Sequence, residues 1–166
     1  MKYIKNFRGQ SLIEITVALG ALVVILTVSS TAIISALNNS QEAKYQNQAS
    51  VYAQQGIEVL RQTRDSSWTT FDNLSGAYCM ASSCTQLNSN GPCGPKNGTC
   101  GKNVDIFSRS VTLVKNNSQC NQGGVSGTKV LVTVAWSDSK CSPQSALCRK
   151  VELETCFSNL YHNSGL

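Results

Sequence analysis

The hydrophobic pattern changes character twice along the chain. From Leu12 to Leu37 almost every position is apolar or small, and Glu14 is the sole charge. The next stretch, NNSQEAKYQNQASVYAQQGIEVLRQTRDSSW, keeps apolar or small residues at Tyr45, Ala49, Tyr52, Ala53, Gly56, Ile57 and Leu60. Those positions are three and four apart, the repeat of a helix with one buried stripe. Later segments alternate instead: VDIFSRSVTLVK, TKVLVTVAW and CRKVELETCF read as three strands, and their connections suggest an antiparallel meander.

At about 1.5 Å per residue the first run makes a helix of roughly 39 Å, against a hydrocarbon layer of about 30 Å, so it is long enough to span a bilayer. It is too long for the apolar region of an ordinary secretory signal, although SSTAIISAL could be argued into a cleavage site. Lys2, Lys5 and Arg8 precede it and orient it with the N-terminus in the cytoplasm and the rest outside. One helix continuing from about Ser11 to Arg64 fits both periodic stretches, with Gly20 and Gly56 as its weakest points. Arg61 and Arg64 stand at its C-terminal end, where cations suit the helix dipole.

In the strands, Val111, Leu113, Val130, Val132, Val134, Trp136, Val151 and Leu153 are expected to face inward. Ser110, Thr112 and Val114, and Lys150, Glu152 and Glu154, are expected to face out, giving a sheet with one wet face and one face covered by the helix. Trp68 and Phe71 read as a core plug beneath the helix end. The fold class is therefore α+β: a long N-terminal helix packed on a small antiparallel sheet.

All eight cysteines, Cys79, Cys84, Cys93, Cys100, Cys120, Cys141, Cys148 and Cys156, fall in the polar, loop-rich part of the chain. An even number in such a segment indicates a disulfide framework formed in an oxidising compartment. Residues 75–103 read as a stapled loop region between helix and sheet. If Trp136 lies near Arg149, then Cys141 and Cys148 face each other across their loop, and Cys156 falls near Lys129, within reach of Cys120. The other four then pair among themselves, as Cys79 with Cys84 and Cys93 with Cys100 or otherwise, since spacing does not choose.

The formal charge of +5 says little about partners, because three of the fourteen cations precede the apolar run and leave eleven against nine acids. The remaining lysines are spread singly, without the basic stripe and interleaved aromatics that track a nucleic-acid backbone. The only histidine, His162, stands near the C-terminus, and no nucleophile, base or metal-ligand constellation is recognisable. Catalysis and a cofactor are not expected.

Glu14 is the residue that demands explanation. A carboxylate within hydrocarbon costs on the order of 3 kcal/mol, so it must lie near an interface, be neutralised or meet a cation. Cleavage between Gly9 and Gln10 would supply that cation as a new α-amino group and make Glu14 the fifth residue of the product. The stretch KNFRGQSLIEITVALG resembles the cleavage and methylation segment of type IV pilins and pseudopilins. In that family a short basic leader ends in Gly, an apolar helix follows at once, and a Glu stands fifth after the cut; Arg8, Gly9, Ser11, Leu12, Ile13 and Glu14 fit. The close match covers residues 1 to about 40.

The resemblance implies a division into leader (1–9), transmembrane and assembly helix (10–37), amphipathic helical half (38–66) and disulfide-rich sheet head (67–166). It implies the pilin fold, removal of the leader by a membrane-embedded prepilin peptidase, methylation of Gln10, and Glu14 pairing with the α-amino group of Gln10 during assembly. Other pilin subunits and an inner-membrane assembly platform are the implied partners, with membrane lipid holding the subunit before assembly. The final location would be a surface filament. Gln10 replaces the family's usual Phe, and Thr31 replaces a helix-kinking Pro common in major subunits, so a minor pilin is the nearer likeness. A pseudopilin of a secretion or DNA-uptake machine would use the same helix. An unprocessed, membrane-anchored binding module outside the cytoplasm is the remaining alternative.

Overall fold

The computed structural model describes residues 10–87, 91–121, 126–137, 141 and 149–159. Helix α1 runs Gln10–Ser66 and a short helix α2 runs Trp68–Asp72; strands β1 (Gly76–Cys79), β2 (Ser108–Val114), β3 (Thr128–Trp136) and β4 (Arg149–Phe157) follow. The chain divides into two compact units between Lys44 and Tyr45. Residues 45–66 of α1 thus belong with the sheet, and residues 38–44 with the apolar stretch.

In the second unit, α1 presents Ala49, Ala53, Gly56 and Leu60 as a fully buried stripe. Small side chains at successive turns let the helix axis approach the sheet closely. A Cβ on Gly56 would meet Val132 Cγ1 at 3.0 Å and Arg109 Cδ and Met80 Sδ at 3.6 Å each. Tyr45 and Tyr52 pack edge-on against Phe107, which in turn stacks edge-on with Trp136. Ser67 ends the long helix and caps α2, its hydroxyl accepting from the Thr70 N–H at 3.2 Å. That turn delivers Phe71, 1 % exposed, to the ring of Phe157, with Trp68 half-buried beside it. The aromatic plug expected from the sequence is therefore in place.

The sheet is antiparallel throughout, in the order β1-β2-β3-β4. Four strands replace the three expected. The additional one, GAYC, lies inside the segment read as a stapled loop, because four residues beginning with a glycine are too short to display alternation. The first expected strand is also trimmed: Val104 and Phe107 close a tight turn with Asp105 at φ 55°, so β2 starts only at Ser108.

Val111, Leu113, Val130, Val132, Val134 and Trp136 point inward and are at most 2 % exposed. Val151 and Leu153 also pack against this core, but they are only partly buried, since β4 is an edge strand with a neighbour on one side. Lys150, Glu152 and Glu154 face out as expected, with Lys150 paired to Glu152 and Lys129 to Glu154. Exposed pairs of this kind contribute little stability. The opposite edge is covered: the Cys79 N–H donates to the Gly94 carbonyl and the Lys96 N–H to the Ala77 carbonyl.

Candidate functional site

The first unit carries the candidate assembly surface. Its large apolar side chains, from Ile13 at 68 % to Leu22 at 53 % exposed, are bare along the helix. The helix is long and apolar enough to cross a membrane. An apolar surface of this extent is stable only against lipid or other protein.

Five of its hydroxyls are dealt with internally. Thr16, Thr27 and Thr31 donate to carbonyls three residues back, and Ser29 and Ser30 to carbonyls four residues back, all between 2.8 and 2.9 Å. Bonds of this type let Ser and Thr enter hydrocarbon without stranding a polar group. Glu14 has no such recourse. Its carboxylate is exposed, and among the described residues it makes no hydrogen bond or ion pair. Gln10 lies one turn away in the same helix. Gly9 and the expected cleavage junction preceding Gln10 lie outside the described residues.

In the head, the disulfides are nested. Cys79 is joined to Cys100 and Cys84 to Cys93, which replaces the sequential pairing of Cys79 with Cys84 and Cys93 with Cys100. The reason is the fourth strand: covering the edge of β1 with residues 94–96 folds the chain back on itself, bringing first to last and second to third. Cys120 is joined to Cys156. The register that puts Trp136 opposite Arg149 and Lys129 opposite Cys156 is the one observed. Cys141 is disulfide-bonded, while its expected partner Cys148 lies outside the described residues, as does His162.

Arg109 is a tie of the head that no sequence motif announces. This side chain is 2 % exposed and lies on the inward face of β2. Its Nε donates to the Met80 carbonyl at 3.0 Å, Nη1 to Tyr52 at 3.0 Å and Nη2 to Ala81 at 2.8 Å. The Arg109 N–H donates to Asn103 Oδ1, and Asn103 Nδ2 donates back to the Arg109 carbonyl. One side chain thus ties α1, the segment after β1 and β2 together. Burial pulls its guanidinium below the ordinary arginine value, and the charge interaction with Tyr52 works the other way. It remains charged, and no described carboxylate is ion-paired with it; backbone carbonyls carry the compensation. The signal was present in the sequence, because strict alternation puts Arg109 on the same face as Val111 and Leu113.

The Trp136 indole N–H is buried with no hydrogen-bond partner among the described residues. No cluster of three His, Cys, Asp or Glu side chains suited to a metal occurs among them either. No protein-family model, curated protein or solved structure matches the chain.

Proposed function

We propose that the chain is a pilin-like structural subunit, most similar to a minor pilin, held in the cytoplasmic membrane by residues 10–37 until it joins a surface filament. Residues 1–9 act as a leader removed by a prepilin peptidase, and the new α-amino group of Gln10 is the counter-ion of Glu14. The observation that carries this reading is the isolation of Glu14 on a bare apolar helix, where the Thr16 hydroxyl beside it is already bonded to the Ile13 carbonyl. A side chain of that kind is costly unless a cation is delivered to it, and a cation on every subunit fixes register as well as charge. The α+β head, built on the second half of the same helix, supports the reading as architecture.

Intact mass and N-terminal sequencing of protein recovered from its own cells test the proposal directly. The expected product starts at methylated Gln10. Glu14→Ala is expected to be processed normally and to be lost from filaments; normal incorporation refutes the role given to Glu14. Retention of residues 1–9 on the mature chain, with no filament containing it, would favour an anchored binding module.

A further inference from the structure

Among the described residues of the head, one asparagine is chemically exposed. Asn97 lies in the loop that follows the cover of β1, with Lys96, Asn97, Gly98 and Thr99 all exposed. No described group hydrogen-bonds its carboxamide, and the backbone N–H of Gly98, which follows it, is likewise without a partner among the described residues. Gly98 sits at φ +83° with nothing within 4 Å of the position a Cβ would take.

Among the described residues, the loop asparagines Asn103, Asn116, Asn117 and Asn121 are held by side-chain hydrogen bonds. Asn103 exchanges two hydrogen bonds with the Arg109 backbone, and Asn117 and Asn121 accept from the N–H groups of Gln119 and Gly127. The Asn116 carboxamide accepts from the Ser126 hydroxyl. Asn73 closes α2 and precedes Leu74, which is buried.

We infer that Asn97 is a site of self-modification, converting to isoaspartate and aspartate in the folded protein. The Gly98 backbone nitrogen gives up its proton to solvent base and attacks Asn97 Cγ. The carbon–nitrogen bond to the side-chain amide breaks, ammonia leaves, and a five-membered succinimide joins the two residues. Water then opens that ring at either carbonyl, which leaves one new carboxylate and regenerates a backbone amide. No oxidant, reductant or enzyme takes part. A glycine following the asparagine matters because no Cβ crowds the attacking nitrogen. The product places a negative charge between Lys96 and Lys102, on a loop clamped at its base by Cys79–Cys100, and so changes the face the head presents as the protein ages.

The test incubates the full chain in detergent with its disulfides intact at neutral and mildly acidic pH, then reduces, alkylates and digests it with trypsin. Cleavage after Lys96 and Lys102 isolates residues 97–102 from every other asparagine. The expected result is an amide-to-acid mass gain in that peptide, faster at neutral pH, with label transferred by an isoaspartyl methyltransferase. Asn73, Asn103, Asn116, Asn117 and Asn121 stay unchanged over the same period, and Asn97→Gln removes the signal. Asn97 remaining intact in the folded chain after the reduced, denatured chain has converted would overturn the inference. Conversion of the hydrogen-bonded asparagines at the same rate as Asn97 would overturn it too.

Discussion

Gly20 and Gly56 stand in the same helix, yet they report opposite surroundings. A Cβ at Gly20 would meet nothing within 4 Å, whereas one at Gly56 would press on Val132, Arg109 and Met80. The first half of α1 therefore buries nothing by itself, although it is the more hydrophobic half. The second half is poorer in apolar residues and is the half that folds onto the sheet. Hydrophobicity alone does not place a helix in a core: Ala49, Ala53 and Gly56 go in because they are small enough for backbone and sheet to meet, while Leu22, Val23 and Ile25 need an outside partner.

Removing the tie between helix and sheet should break this contrast most severely. Arg109→Ala strands three buried carbonyl contacts and opens a void, with an expected loss on the order of 5 kcal/mol in the head, read from the denaturant midpoint of the detergent-solubilised chain.

Breaking Cys120–Cys156 by double replacement with Ala, which releases a loop of 36 residues, should cost about 4 kcal/mol. The nine-residue Cys84–Cys93 closure should be worth about 2.5 kcal/mol by the same chain-entropy reasoning, so the two unfolding curves should be ordered by loop length.

Gly56→Leu should destabilise the head by about 3 kcal/mol through overpacking against Val132, again as a shift in unfolding midpoint. The paired substitution Gly20→Leu sharpens the comparison, since the same change in the bare half should move head stability by less than about 0.5 kcal/mol. Equal effects at the two glycines would contradict the division at Lys44.

Glu14→Ala is expected to leave the head's unfolding midpoint unchanged while affecting filament incorporation. A large stability change would mean that Glu14 has a partner within its own chain.

The patterns that survived into the structure are those carried by long, regular repeats. The helical stripe, the inward faces of β2 and β3 and the opposition of Lys129 and Cys156 were all legible, because a period of 3.6 or 2 sustained over many residues leaves few alternatives. What was missed was short or non-local. Strand β1 is four residues long, and the nested disulfides follow from the chain doubling back along its edge. Arg109 was legible in position but not in consequence, since no residue near it in sequence announces the carbonyls of Tyr52, Met80 and Ala81.

By itself, then, the sequence determined the long helix and the three longer strands, which faces are apolar, and that a lone carboxylate sits in the apolar run. Local backbone sterics and side-chain periodicity act within a few residues and are written in order along the chain. Only the tertiary structure decided that Cys79 meets Cys100 and Cys84 meets Cys93, and how a charged guanidinium is buried against backbone carbonyls. Those outcomes depend on carbonyls and sulfurs that come together only after segments far apart in sequence have packed.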